Sequence, residues 1–214
     1  VVEYAEISVS PAVRDTFAAA RPSRVLATSG PGLGRELRDG GARIVFWEMN
    51  MKRFVGNTNA PADPATVPAA ADRLYERAVA TTECATPSIA LNELQGAWLP
   101  TPWSAWNGQY RSNVLELLRR LHERGAHPYL LVTTSTRPFT TMSEAAEWWR
   151  QVSQAADIVL QVHFNGRRLY ARGPLAAGRQ RRARMRSVLA RFNALGIPTE
   201  RLGLLHGFQS GRGH

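Results

Sequence analysis

Cysteine and lysine are almost missing from this 214-residue chain: Cys84 is the single cysteine and Lys52 the single lysine. One cysteine excludes a disulfide framework within the chain and a cysteine-based zinc site. With no histidine near it in sequence, Cys84 reads as a small packed residue and not as a nucleophile. One lysine leaves arginine to carry nearly all of the positive charge, and leaves Lys52 as the sole residue able to form a Schiff base. No apolar run approaches the roughly 18 residues that a membrane helix needs, so no membrane partner is expected. The pattern GxxxxGK[ST] is missing, which removes the usual P-loop. Signal-peptide character is also missing. The chain opens at Val1 with no methionine. A segment upstream is therefore taken as removed, and a secreted location is the expectation. No internal repeat, low-complexity segment or linker divides the chain, so residues 1–214 are read as one domain.

What is present suits a globular fold. Hydrophobic residues make up 44% of the chain and charged residues 21%, enough for a sizeable core. The net charge is +10. Its densest source is Arg179, Arg181, Arg182, Arg184, Arg186 and Arg191. Spread over a helix these do not all stay on one face, which suits a solvated outer helix. The sharper alternative is a phosphate-binding surface, which makes nucleic acid the non-enzymatic rival partner.

Short apolar runs alternate with helical patterns along the whole chain. Strands are expected at Val2–Val9, Val25–Thr28, Ile44–Trp47, Ile89–Leu91, Tyr129–Thr133, Ile158–Val162 and Leu202–Leu205. Ser10-Pro11 opens a helix carrying Val13, Phe17 and Ala20 inward. A short helix is expected at Arg35–Arg38, and others from about Ala69 to Ala80 and Tyr110 to Arg124. Val114, Leu117, Leu118 and Leu121 form the apolar stripe of the last of these, and Gly125 ends it. Ser143 begins a helix carrying Trp148, Trp149 and Val152. A long arginine-rich helix runs from about Leu175 to Leu195 and stops at Gly196-Ile197-Pro198. Met51 to Pro68 reads as loop. Seven strands with helices in six of the intervals predict a parallel sheet with helical crossovers. The expected fold is an α/β barrel of the (β/α)8 TIM type, made of seven βα units and incomplete at the C-terminus, where the eighth strand is missing. The alternative is an open doubly wound parallel sheet.

In both architectures ligands bind at the carboxyl ends of the strands. Those ends read Thr28-Ser29, Glu48-Met49-Asn50, Asn92-Glu93, Thr133-Thr134, His163-Phe164-Asn165 and His206 to Gln209. A carboxylate at the end of a buried strand is costly unless it pairs or sits at the mouth of a cleft. Glu48 and Glu93 both meet that description, on strands expected to be neighbours. Trp47, Trp98, Trp103 and Trp106 lie at or just past the same two strands. Indole faces stack on the apolar face of a sugar ring, although tryptophans can also cap a barrel mouth by packing on each other.

On these residues the chain resembles the large clan of retaining glycoside hydrolases built on an eight-stranded α/β barrel. In that clan an asparagine and then the acid/base glutamate end the fourth strand, where this chain has Asn92-Glu93. The likeness covers roughly Arg43 to Gln209. It implies a carbohydrate substrate and no cofactor. It implies Glu93 as general acid/base and Asn92 as a contact beside the reacting carbon. Asn50, His163, Asn165, His206, Gln209 and the four tryptophans would then bind substrate. It also implies a glutamate nucleophile at the end of the seventh strand, about 5 Å from the acid. This chain departs there, because Leu205-His206-Gly207-Phe208-Gln209 holds no carboxylate. Either Glu48 supplies the second carboxylate, or the barrel binds carbohydrate without cleaving it, or the register differs.

A further rival is a dinucleotide site. Gly30-Pro31-Gly32-Leu33-Gly34 follows a strand, and Glu48 ends the next one. The spacing is GxGxG and not GxGxxG, with Arg35 in the last glycine's place. His163 and His206 suit hydrogen bonding to a substrate better than metal binding, since no third ligand stands out.

Overall fold

The computed structural model describes residues 2–3, 25–28, 43–48, 50–92, 94, 107–133, 143–165 and 171–209. Seven strands form one sheet: β1 (Val2–Glu3), β2 (Val25–Thr28), β3 (Arg43–Glu48), β4 (Ser88–Leu91), β5 (His127–Thr133), β6 (Asp157–Asn165) and β7 (Leu202–Gln209). Each pairs with its successor in sequence, and every pair is parallel. The helices are α1 (Lys52–Val55), α2 (Val67–Thr82), α3 (Gly108–Glu123), α4 (Ser143–Ala155) and α5 (Pro174–Asn193).

Local chemistry accounts for the element ends. Asp63 opens a 3₁₀ turn, Pro64–Thr66, by accepting a hydrogen bond from the Ala65 N–H at 3.0 Å, and α2 follows directly with proline in its first turn. Its buried residues Val67, Ala70, Ala71, Leu74, Ala78 and Thr81 recur at three and four. Helix α3 buries Tyr110, Val114, Leu117, Leu118 and Leu121 in the same manner. It stops at Gly125, whose φ of +87° is open to glycine at little cost. The Gly125 N–H donates to the His122 carbonyl at 2.9 Å and the Ala126 N–H to the Leu121 carbonyl at 3.0 Å, a Schellman ending that leads straight into β5. Helix α5 ends in the same pattern at Gly196, with Ile197 buried behind it.

The two faces of the sheet are covered differently. One parity of strand residues, Phe46, Ile89, Leu91, Leu130, Val132, Ile158 and Leu160, packs into the main core with Leu74, Leu117, Leu118, Leu121, Trp149, Val152, Val188 and Phe192 from the helices. Trp149 meets Phe192 edge-on at 5.1 Å, which joins α4 to α5. The other parity, Val45, Ala90 and Leu131, packs with Trp47, Tyr129, Val159 and Leu205. Every member of that second cluster comes from a strand. Helices α2 and α3 also pack side by side: the Arg120 guanidinium forks across Asp72 at 3.0 and 3.1 Å, and Arg124 reaches Asp72 at 3.0 Å while lying 4.5 Å over the Tyr75 ring.

The expected barrel is not a closed ring here. Among the described residues β7 and β1 do not pair, and the sheet is open. Seven strands fall one short of the eight that close a TIM-type barrel. The order β1 to β7 also runs in one direction, without the reversal at which a doubly wound sheet places its crevice. Several boundaries differ from expectation. Lys52–Val55, read as loop, forms one helical turn, with the Phe54 N–H donating to the Met51 carbonyl. Helix α2 starts at Val67 and not at Ala69, because Pro68 fits its first turn. Strands β6 and β7 run on to Asn165 and Gln209, so the pairing absorbs residues expected beyond the strand ends. The expected continuation of β1 to Val9, the helix opening at Ser10 and the Arg35–Arg38 helix lie outside the described residues, as does the Gly30–Gly34 stretch.

Leu118 is fully buried, whereas Leu175 is 77% exposed. Urea unfolding should show Leu118→Ala losing about 2–5 kcal/mol and Leu175→Ala less than about 0.5. The Asp72 carboxyl is held below its ordinary range, chiefly by its hydrogen bond to Arg120 and against the opposing cost of desolvation. A depressed folded-state value contributes stability above the unfolded carboxylate range, near pH 4, and loses it as pH falls through the folded value. Thermal melts of Asp72→Asn between pH 2 and 6 should therefore fall less steeply with acid than those of the parent.

Candidate functional site

The ends of β3 and β4 and the middle of β6 contribute side chains to the sheet face on which, among the described residues, only strand residues pack. Alternation along β3 turns Trp47 to that face and Phe46 and Glu48 to the helix layer. Strand β4 continues the β3 ladder by one bond past its end, with the Asn92 N–H donating to the Glu48 carbonyl at 3.0 Å. Ala90 belongs to the strand-only cluster, and Asn92, two residues on, reaches across that face. Its Oδ1 accepts a hydrogen bond from Gln161 Nε2 of β6 at 3.1 Å. Strand β5 lies between them, so this bond spans the sheet above Leu131 and Thr133. It uses the acceptor of Asn92 and leaves the Nδ2 hydrogens without a partner among the described residues. On the neighbouring strand end, Asn50 Oδ1 is buried and makes no hydrogen bond among the described residues.

Glu48 is placed otherwise. Its carboxylate is 3% exposed and lies toward α2. Oε1 accepts from the Asn50 backbone N–H at 2.9 Å, and Oε2 lies 3.5 Å from the half-exposed guanidinium of Arg77. That guanidinium also sits 5.4 Å from the centre of the Phe46 ring. Glu48 thereby locks the turn after β3 and ties it to the helix layer. A buried carboxylate is tolerated when paired in this way.

Of the residues read from the sequence, Trp47 and Asn92 lie on the face of the strand-only cluster, Asn50 bonds through its backbone to Glu48, and Glu48 turns to the opposite side of the sheet. Strands β3 and β4 are neighbours, as expected. His163 registers with Gly207, Asn165 with Gln209 and His206 with Val162, within the paired ends of β6 and β7. The side chains of His163, Asn165, His206 and Gln209 lie outside the described residues, as do Glu93, Trp98, Trp103 and Trp106. Sequence reasoning missed Gln161 and Arg77. Gln161 had a signal: it is the one polar residue in Ile158-Val159-Leu160-Gln161-Val162, and a polar group in a buried strand must find a partner. Arg77 had none, being one more arginine on an outer helix. Among the described residues no group of three histidine, cysteine or acidic side chains could hold a metal ion, and no helix is long and apolar enough to cross a membrane.

No protein-family model matches the chain, and no curated protein matches it. Two solved structures are similar in fold. The C-terminal domain of a candidate chitinase from Desulfitobacterium hafniense DCB-2 aligns with a TM-score of 0.54 at 11% identity, over 95% of this chain and 64% of that one. The spore cortex-lytic enzyme SleL of Bacillus megaterium QM B1551 aligns with a TM-score of 0.53 at 12% identity, over 95% of this chain and 49% of that one. The chain thus spans less than two thirds of the length of either.

The Asn92–Gln161 bond makes a double-mutant test. Gln161→Leu strands a half-buried amide oxygen and should cost about 1–3 kcal/mol in urea unfolding. Asn92→Leu combined with Gln161→Leu should recover most of that loss, since both polar partners are then gone.

Proposed function

We propose that this chain is a carbohydrate-acting domain that cleaves a glycosidic bond at the carboxyl ends of its strands. The sheet would curl about the strand-only cluster as an incomplete barrel. The observation that carries the proposal is the placement of Asn92, which ends the fourth strand of a parallel sheet ordered as the chain runs, on the face of the strand-only cluster. Glu93 follows it directly. In this reading Glu93 protonates the leaving glycosidic oxygen and then takes a proton from water, as general acid and base. Asn92 donates through Nδ2 to the hydroxyl beside the reacting carbon. Asn50 accepts from a neighbouring hydroxyl, and Trp47 lies beneath the sugar ring, with Trp98, Trp103, Trp106, His163, Asn165, His206 and Gln209 completing the cleft. The fold likeness to a candidate chitinase domain and to a cortex-lytic enzyme supports a glycan substrate.

The second carboxylate is the weak joint in a retaining mechanism. Glu48 would have to leave Arg77 and the Asn50 N–H and cross to the other side of β3 to attack an anomeric carbon. That engagement, together with Gln209 at the end of β7, favours a second reading: a carbohydrate-binding domain that holds the chain of sugars without cutting it.

Release of reducing ends from chito-oligosaccharides and peptidoglycan fragments separates the two. Hydrolysis by the parent, lost by about 10²-fold or more in Glu93→Gln with sugar affinity retained, supports the enzyme. Equal turnover in parent and variant would remove Glu93 from the mechanism. Binding without turnover in the parent, weakened about tenfold by Asn92→Ala, supports the binding domain.

A further inference from the structure

Helix α5 is a poor helix for a core and a good one for a polyanion. Of its twenty residues only Val188 and Phe192 are buried. It carries six arginines and no acid, which makes it the source of more than half of the chain's net +10. Arg179, Arg182 and Arg186 are exposed and recur at three and four, so they form one stripe. That stripe is roughly 10 Å long at 1.5 Å per residue. Val188 and Phe192 mark the opposite face. No carboxylate pairs with Arg179, Arg182 or Arg186 among the described residues. On neighbouring elements Glu147 pairs with Arg150 at 2.8 Å and Asp157 with Arg201 at 2.9 Å. Crowding of like charge shows at Arg191, whose guanidinium is held below its ordinary range first by burial and then by Arg184.

Topology sets where this stripe stands. A crossover helix starts where its strand ends, and α5 begins at Pro174, nine residues after β6 ends at Asn165. Helix α5 packs Val188 and Phe192 into the helix-side core, so its stripe lies on the outer side of that layer, with Arg179 nearer than Arg186 to the carboxyl ends of the strands. Its exposed face carries no aromatic residue, so it offers no platform for stacking bases. It also lacks the apolar face with which a helix enters a lipid surface.

We propose that the Arg179–Arg182–Arg186 stripe is a binding surface for a polyanionic polysaccharide. The choice of polymer rests on the glycan reading of the rim. Arginine pairs with carboxylate or phosphate groups along such a chain through bidentate hydrogen bonds, and the affinity falls with salt.

The test is titration of the whole chain with polygalacturonate, with a neutral chito-oligosaccharide and with a short DNA duplex, each at low and high salt. The triple variant Arg179→Gln, Arg182→Gln, Arg186→Gln should bind polygalacturonate at least about tenfold more weakly at low salt, with a shallower salt dependence. Its melting temperature and its affinity for the neutral oligosaccharide should not change. Unchanged polygalacturonate affinity in the variant overturns the proposal. So does tighter, arginine-dependent binding of the duplex, which would assign the stripe to nucleic acid. Arginine-dependent polygalacturonate binding in a chain that ignores neutral oligosaccharides keeps the surface and overturns the glycan cleft instead.

Discussion

A parallel sheet has two apolar faces to cover, and among the described residues helix side chains pack on only one of them. Phe46, Ile89, Leu130 and Ile158 are buried against α2 to α5. Val45, Ala90 and Leu131 are buried as well, but in a cluster whose other members, Trp47, Tyr129, Val159 and Leu205, also belong to strands. Burying a side chain of this size against water is worth about 1.5–3 kcal/mol, so leaving that face flat and wet would be expensive. In the sequential strand order each crossover advances the sheet by one strand in one direction and stacks the helices side by side.

The site follows from that asymmetry. Polar residues at the carboxyl ends of strands can point into the helix layer or away from it, and the alternation of each strand decides which. Asn92 falls in phase with Ala90 and bonds to Gln161 across an intervening strand. Glu48 falls in phase with Phe46 and becomes a strut to α2. Two polar residues that each close an apolar run, Glu48 and Asn92, are thus divided by a single residue of register. An active site needs the first kind of placement, and a fold needs the second. Arginine has a similar double use. Arg120 and Arg124 are consumed in joining α2 to α3 through Asp72, whereas the stripe on α5 is not consumed by the fold at all.

Much of this was legible in the chain. The seven strands, the helix stops at Gly125 and Gly196 and the pairing of the strands that carry Glu48 and Asn92 all follow from local chemistry: apolar runs of four to six residues, left-handed glycines followed by a buried residue, and alternation of element types. What was not legible depends on register and reach. The engagement of Glu48 needs Arg77, twenty-nine residues away on a helix whose arginines all look alike. The Asn92–Gln161 bond joins residues sixty-nine apart. The ends of β6 and β7 extend because the two strands pair through Asn165 and Gln209, a mutual property that neither stretch shows alone. The arginines of α5 looked dispersed because six of them cannot share a face, yet three of them do.

The most direct test is to map where a sugar sits. Backbone and indole NMR shifts of the chain titrated with a chito-oligosaccharide should move at Trp47, Asn92 and Gln161, on the face of the strand-only cluster, and stay still across α2 and α3. Shifts that cluster on the outer helix layer, or a spectrum that does not respond to the sugar, would contradict the account.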